Sequence, residues 1–347
     1  MNTSNVSIVI HAARDLRVEE SGEISKIGSG QVLIEIQSGG ICGSDLHYYN
    51  HGGFGPIQLR EPMILGHEVS GKIVSTASDV SALSVGQLVA VSPSRPCQSC
   101  EYCLKGQQNH CLNMQFYGSA MPFPHIQGAF QKHLVAEAAQ CVPADGLSSG
   151  QAAMAEPLAV CLHALKRAGD VMAKNVLITG CGPIGCLSIL AARRAGAGQI
   201  IATDLSDFAL EKARECGADL TFNTKETPYA LARFQRDKGQ IDVHLECSGA
   251  AGALAAGVAC LKPKGTLVQL GLGGDMSVPM QAMTAKEITL RGSFRFHEEF
   301  ASAVRMMQSG LIKVDALLTH RFDATDAQRA FETANDRSQA MKVQLAF

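Results

Sequence analysis

Tryptophan is absent from the 347 residues, and tyrosine occurs only 5 times. That scarcity alone excludes no class of function. An excess of either charge is lacking too. The 30 Lys and Arg face 32 Asp and Glu, a formal −2 at pH 7, which leaves no electrostatic basis for holding nucleic acid or a membrane surface. No uninterrupted apolar run spans a bilayer, because the longest stretch, 176–192, is broken by Gly180, Gly182, Pro183 and Gly185. The opening MNTSNVSIVIHAARDLRVEE has no basic segment ahead of an apolar core, so it does not read as a secretory signal. Repeats, low-complexity tracts and long linkers are missing as well. The expectation is a cytoplasmic globular protein. Its 347 residues exceed what one hydrophobic core usually holds, so two domains are expected.

What is present changes character near residue 150. Residues 31–142 read as short strands such as QVLIEIQSGG and VSGKIVST, separated by glycine-rich loops. Later, NVLITG, QIIATD, LTFN, IDVHLECSG and TLVQLGL alternate with helical stretches, among them PIGCLSILAARRAGA, SDFALEKARECGAD and YALARFQRDKG. That alternation predicts an α/β domain built on a parallel sheet covered on both faces. The tail, 294–347, predicts one or two helices and a final strand, MKVQLAF, returning to the first domain.

Gly180, Gly182 and Gly185 form G-x-G-x-x-G between a strand and a helix. In that context the first glycine allows the turn, the second lets backbone approach a pyrophosphate, and the third lets helix pack on strand. The helix start adds amide donors and a favourable dipole. Asp204 ends the next strand, where its carboxylate suits ribose hydroxyls and repels a 2′-phosphate. NAD is the expected cofactor and NADP the alternative. Arg193 and Arg194 would soften the preference if they reached the same ribose. A surface aspartate opening a turn is the plain alternative.

Twelve cysteines are many, yet in a large, apparently intracellular chain clustered ones point to metal or catalysis rather than disulfides. Cys97, Cys100, Cys103 and Cys111 fall at C-x2-C-x2-C-x7-C. Four thiolates with no open position make a structural Zn²⁺ site. An iron–sulfur cluster is the alternative chemistry, and His110 the alternative fourth ligand. Cys141, Cys161, Cys181, Cys186, Cys216 and Cys260 sit in apolar or helical surroundings and read as packing residues.

A further cysteine, Cys42, stands in GGICGSDLHYYN. His67 and Glu68 in GHEVSG and Glu156 in AEPLAV are candidate partners. Cysteine, histidine and glutamate with a fourth position left to water is the composition of a catalytic zinc site. A thiol nucleophile using His47 or His67 as base is the other reading. It leaves Glu156, Asp45 and the glycine loop without a purpose.

Taken in order, Cys42-Gly-Ser-Asp-Leu-His47, Gly66-His67-Glu68, the four-cysteine loop, Glu156-Pro157 and Gly180 to Gly185 resemble the zinc-dependent medium-chain dehydrogenases over nearly the whole chain. The resemblance implies a GroES-like catalytic domain (1–154, its zinc loop at about 95–112) and a Rossmann domain (155–293). It further implies a returning segment (294–347) and an active site between the domains. Catalytic zinc would be held by Cys42, His67 and either Glu68 or Glu156, with Asp45 orienting the ligand histidine. Ser44 and His47 would carry the alcohol proton to solvent while hydride passes to the nicotinamide. Cofactor contacts would fall at Gly180, Gly182, Pro183, Ile184, Gly185, Asp204, Cys247, Ser248, Gly249, Leu270, Gly271, Phe294 and Arg295.

Within that family, Tyr48 and the GSFRF segment resemble the polyol, sorbitol dehydrogenase-like branch, which implies substrate contacts at Ser44, Tyr48, Glu156 and Arg295. Still nearer, GGICGSDLHYY, FYGSAMPFPHIQGAF, GPIGCL and LRGSFRF look like the bacterial L-idonate 5-dehydrogenases. Those oxidise the C5 hydroxyl of L-idonate reversibly to 5-dehydro-D-gluconate with NAD or NADP. Arg295 or His125 would then meet a substrate carboxylate. Sorbitol, xylitol or another secondary alcohol is the alternative substrate, and a non-catalytic zinc or dinucleotide-binding protein the remote one. The family also implies a homo-oligomer, with a tetramer ahead of a dimer. TLVQLGLGGDMSVPM is the expected edge strand through which copies would join.

Overall fold

The computed structural model describes residues 4–23 and 26–347. Strands β1 (Ser4–Ala12), β2 (Asp15–Glu23), β3 (Gln31–Gly40) and helix α1 (Gly43–His51) come first. They are followed by β4 (Met63–Ile64), β5 (Glu68–Thr76), β6 (Leu88–Val91), β7 (His133–Glu137) and β8 (Cys141–Pro143). β1 pairs antiparallel with β2 and with β4. The strict alternation of β3, every second residue from Val32 to Ile36 being buried, is what a strand with one face on a core requires. β5 and β7 flank β3, all antiparallel, and β6 and β8 extend the sheet beyond β5. α1 stops at Gly52, which adopts φ +70° so that its N–H can reach the Tyr48 carbonyl at 2.9 Å.

Helix α2 (Ala155–Ala168) opens the second half. Next come β9 (Asn175–Thr179), α3 (Pro183–Arg194), β10 (Gln199–Asp204), α4 (Asp207–Glu215) and β11 (Leu220–Asn223). They are followed by β12 (Ile241–Glu246), α5 (Ala251–Cys260), β13 (Leu261–Gln269) and β14 (Thr289–Gly292). These six strands are parallel in the order β11-β10-β9-β12-β13-β14. Counted from β9, that is 3-2-1-4-5-6, with the order reversing between β9 and β12. Both faces are buried. Val176 and Ile178 of β9 join a core with α2 and α3, whereas Leu177 between them packs in the opposite core with Leu254 and Val258 of α5.

Two sequence expectations fail here. YALARFQRDKG forms two short 3-10 segments, Ala230–Phe234 and Arg236–Lys238, because Asp237 and Lys238 take positive φ ahead of Gly239. TLVQLGLGGDMSVPM does not supply the sheet edge either. Its strand residues belong to β13, which is covered by β14, and the free edge is Thr289–Gly292 with Leu290 exposed.

The tail holds α6 (Glu299–Gln308), β15 (Leu318–Asp323), α7 (Ala327–Asn335) and β16 (Lys342–Ala346). β16 pairs antiparallel with the end of β3, Gln344 opposite Gly40, and β15 lies parallel to β16. Phe331, Val343 and Leu345 enter the same core as Ile34 and Phe130.

Candidate functional site

Strand register assembles the first group of donors. Gly40, at the end of β3, lies opposite Glu68, at the start of β5. The chain leaving β3 therefore carries Cys42 past His67 and Glu68. A Cβ on Gly40 would lie 2.2 Å from Glu68 Oε2, so only glycine admits this approach. The Cys42 sulfur, a His67 ring nitrogen and a Glu68 carboxylate oxygen lie within 4.8 Å of one another. His67 and Glu68 are buried, and Cys42 is half-buried. Tetrahedral bonds of about 2.0–2.3 Å place donor atoms roughly 3.5 Å apart, so a Zn²⁺ ion fits with small adjustments and leaves a fourth position for a small ligand.

Asp45, wholly buried in the first turn of α1, organises this group. One carboxylate oxygen accepts the Cys42 N–H at 2.9 Å; the other accepts the Gly66 N–H at 3.2 Å and stands 3.7 Å from His67 Nδ1. That imidazole nitrogen has no hydrogen-bond partner among the described residues. Burial alone would push His67 down, but Asp45, Cys42 and Glu156 hold it well above its ordinary value. Burial pushes Asp45 itself up, against the pull of His67. Glu68 is partnered by Lys342, whose Nζ donates to both carboxylate oxygens at 2.8 and 2.7 Å and to the Ile41 carbonyl at 3.2 Å. A buried carboxylate beside a sulfur donor needs such a cation. Lys342 reads in the sequence as an ordinary lysine in a short strand. Its only signal there is a charge within the apolar pattern of MKVQLAF.

Glu156, in the first turn of α2, is buried outside this tight triad. Burial and the nearby carboxylates of Glu68 and Asp45 raise it to about 7, against the pull of His67 and Lys342. Arg295 adopts φ +55° and lays its guanidinium over Phe116 at 4.2 Å and Phe294 at 4.9 Å. Burial lowers its pKa, while Glu156 and Tyr48 act the other way. Its hydrogen-bond contact is the Met121 sulfur at 3.6 Å, and no ion pair among the described residues includes it. Phe116 also packs on the His67 ring, centroids 5.6 Å apart. It thus joins the metal pocket to Arg295, a role the sequence did not signal. Tyr48 is buried and its hydroxyl accepts the Ala120 N–H at 3.0 Å. Ser44 is half-buried and His47 open to solvent, both on α1. Partial desolvation and the charges of His51 and Arg337 lower His47. His125 is not available to a substrate carboxylate. It is buried, with one ring nitrogen 2.9 Å from the Pro122 carbonyl and the other accepting the Arg60 N–H at 2.9 Å.

The four sulfurs of Cys97, Cys100, Cys103 and Cys111 also lie within 4.8 Å of one another, without His110, which stacks on Phe294 at 6.1 Å. Cys97 Sγ accepts from the Cys100 N–H at 3.3 Å and Asn113 Nδ2 at 3.7 Å; Cys111 Sγ accepts from the Cys97 N–H at 3.2 Å. Donors at Ser99, Asn113 and Cys100 bring Cys97 down to about 5, and Cys100 is lowered as well. Cys103 is pushed up to about 12 by burial and by the sulfurs of Cys100 and Cys111. Thiolates so crowded fit a divalent, thiophilic ion with every position filled. All twelve cysteines are free.

At the carboxyl end of the parallel sheet, Gly180 takes φ +83° and Gly185 packs so closely that a Cβ would meet the Gly180 carbonyl at 1.9 Å. At Gly182 a Cβ would touch nothing within 4 Å, so the backbone lies open where a pyrophosphate would rest. Pro183, Ile184 and Gly185 form the first turn of α3. Asp204, ending β10, accepts the Cys181 N–H at 2.7 Å and the Leu205 and Ser206 N–H groups at 2.7 and 2.9 Å. Arg193 does not soften this carboxylate: its guanidinium is committed to Asp219 and to the Ala197 and Gly217 carbonyls. Arg194 shares the far end of α3.

Across the switch point, Cys247, Ser248 and Gly249 leave β12, and Leu270 and Gly271 leave β13. Glu246, wholly buried, joins these two loops. It accepts the Ser248 and Gly249 N–H groups at 2.9 Å each, Gln269 Nε2 at 2.7 Å and Thr179 Oγ1 at 3.2 Å. No motif in the sequence marks Glu246. Its signal is a carboxylate at the end of an otherwise apolar strand. Phe294 lies against the cysteine lobe, its carbonyl accepting from Asn109 Nδ2 at 3.1 Å.

A sheet of this order beside a three-donor metal pocket is the architecture of a dinucleotide-dependent oxidoreductase with a metal-assisted step. Comparison with known proteins places the chain within that class. Residues 28–146 match the alcohol dehydrogenase GroES-like domain and residues 183–309 the zinc-binding dehydrogenase domain. L-idonate 5-dehydrogenase (NAD(P)(+)) of Escherichia coli K12 is 43% identical over 91% of each chain. Its crystal structure superposes with a TM-score of 0.95 at 41% identity, covering 100% of this chain and 99% of that one. Human sorbitol dehydrogenase is 37% identical over 95% of this chain and 92% of its own. The chain belongs to the GroES-like, zinc-binding alcohol dehydrogenases, and is an NAD(P)-dependent member of that family. No helix among the described residues is long and apolar enough to cross a membrane.

Proposed function

We propose that the chain oxidises the C5 hydroxyl of L-idonate with NAD(P)⁺, reversibly, giving 5-dehydro-D-gluconate. Oxidation at C5 removes the stereocentre that separates L-idonate from D-gluconate, so the product is common to both. The observation that carries the substrate reading is Arg295, a guanidinium held over two aromatic rings, within the field of Glu156 and Tyr48 but in no ion pair among the described residues. A substrate carboxylate would supply a partner. The relative at 43% identity supports the same reading.

When bound, zinc polarises the substrate hydroxyl and the nicotinamide accepts hydride. Cys42, His67 and Glu68 would hold the metal, Glu68 being the glutamate inside the tight triad. Asp45 holds the Cys42 N–H and stands 3.7 Å from His67 Nδ1, placed to orient that ring. Glu156, whose pKa burial and the neighbouring carboxylates of Glu68 and Asp45 raise, would meet a substrate oxygen beside the metal. Ser44 and His47 lie one turn apart on α1. Ser44 would take the alcohol proton and pass its own, through the nicotinamide ribose, to His47 and solvent; partial burial and the charges of His51 and Arg337 lower the His47 pKa. The knot Cys97, Cys100, Cys103 and Cys111 would hold structural zinc. Gly180 to Gly185, Asp204, Cys247 to Gly249 and Leu270 to Gly271 would seat the dinucleotide, with NAD preferred over NADP.

The division at 1–154, 155–293 and 294–347 agrees with the two sheets and the return of β16. We place the protein in the cytoplasm as a homotetramer, with β14 as the joining edge. The test is initial rates with L-idonate, sorbitol, xylitol, D-gluconate and L-threonine, using NAD⁺ and NADP⁺, before and after chelation. A kcat/KM highest for L-idonate and abolished by chelation is expected. A polyol as best substrate would overturn the sugar-acid reading and leave the zinc chemistry standing.

A further inference from the structure

The turn following α7 has no role in the site described so far, yet it is tied to both halves of the molecule. Asn335 and Asn50 of α1 exchange side-chain hydrogen bonds at 2.8 and 3.1 Å. Asn50 lies one helical turn beyond His47, on the same face. On the other side, the Ser206 hydroxyl donates to the Arg337 carbonyl at 3.5 Å. Ser206 is the N-cap of α4, two residues past Asp204. Residues 335–337 therefore bridge from α1 to the end of β10, beside the crevice at the carboxyl ends of the parallel strands where dinucleotides bind. Asp336 stiffens the turn by accepting the Ser338 N–H at 3.0 Å, the Ser338 hydroxyl at 2.5 Å and Gln339 Nε2 at 2.6 Å.

The side chain of Arg337 is exposed and enters no ion pair among the described residues. The carboxylates around it are engaged elsewhere. Asp336 serves its own turn, Asp204 accepts three amides, and Asp207 accepts Asn223 Nδ2 at 2.8 Å. The charge of Arg337 still reaches the crevice, since His47 feels it. The glycine loop, Gly-Cys-Gly-Pro-Ile-Gly, brings no cation of its own, only amides and the dipole of α3. Two phosphate charges lying on Gly182 would find no cation in the glycine loop itself, while past Asp204 the exposed Lys225 follows Thr224, whose N–H donates to the Asp204 carbonyl at 3.0 Å.

We propose that Arg337 binds a phosphate of the dinucleotide, supplying from the catalytic half the cation that the glycine loop lacks. This rests on the dehydrogenase reading above. The test is calorimetric titration of ADP-ribose and of 2′-phospho-ADP-ribose into the zinc-loaded protein and into Arg337→Ala and Arg337→Lys, with thermal melts as a folding control. Arg337→Ala raises Kd about tenfold, as loss of a hydrogen bond between charged groups does. Arg337→Lys recovers part of the loss, and the difference shrinks as salt is added. An equal loss for both ligands assigns the pyrophosphate, and a loss confined to the second assigns the 2′-phosphate. Unchanged Kd for both ligands in Arg337→Ala overturns the proposal. Failure of the unsubstituted protein to bind either ligand overturns the dinucleotide reading itself, and the Arg337 proposal with it.

Discussion

The cysteine knot and the Cys42 pocket each bring their donors within 4.8 Å of one another, by opposite constructions. The knot takes four identical donors from residues 97–111, with amide N–H groups of the same loop directed at its sulfurs. It needs little from the rest of the molecule. The pocket takes unlike donors from two strand ends, relies on a carboxylate from α1 to orient them, and neutralises Glu68 with a lysine from β16. A closed site can be made by one loop. A site that must leave a position free for substrate has to be held open by its surroundings.

The sharpest break between the two comes from removing one donor in each. His67→Ala should lower kcat about a thousandfold or more, as expected when a metal-assisted step loses several kcal/mol. Its melting temperature should change little, and metal analysis should find zinc in the knot alone. Cys100→Ser should do the reverse, lowering the melting temperature by about 10 °C while the folded fraction keeps most of its kcat. If both variants lost activity and stability in the same proportion, the division of labour would be wrong. Lys342→Met tests the neutralising cation. It leaves Glu68 buried without a partner, at a cost of about 3–5 kcal/mol. The double variant with Glu68→Gln should regain much of that stability, by denaturant titration, without regaining activity. Asp45→Asn should cost about 10- to 100-fold in zinc affinity or kcat, the usual range for a group that orients a ligand.

The smallest effect lies away from both sites. Glu299 is brought to about 2 because hydrogen bonds from His163 and from the His297 N–H, at 3.1 and 3.0 Å, outweigh the burial that would raise it. A carboxylate lowered on folding adds stability that is complete above its unfolded value near 4.5 and disappears as pH falls toward 2. Glu299→Gln should therefore lower stability at neutral pH, leave it little changed near pH 2, and so flatten the acid limb of the stability curve between the two.

The same contrast explains what could be read from sequence. The knot was legible because its donors are consecutive, and the glycine loop because a strand, a turn and a helix follow one another in one short stretch. The alternation of β3 and of the parallel strands is likewise local. Which glutamate joins Cys42 and His67 was not legible, since Glu68 and Glu156 are equally adjacent to apolar sequence and only the register of β3 against β5 distinguishes them. His125 was misread because its isolation in the sequence conceals two backbone partners. Lys342 escaped notice because its partner Glu68 lies on another strand, and Glu246 because, besides its neighbours Ser248 and Gly249, it is held by Thr179 and Gln269 of other strands.

Lys342 stands 274 residues beyond Glu68 in the chain. During synthesis the strand bearing Glu68 emerges from the ribosome long before its counter-charge has been translated. Until β16 docks, the nascent pocket carries an uncompensated negative charge and one open flank. Closing that flank takes the last strand of the chain, so the pocket's full complement of charges requires the segment that is translated last.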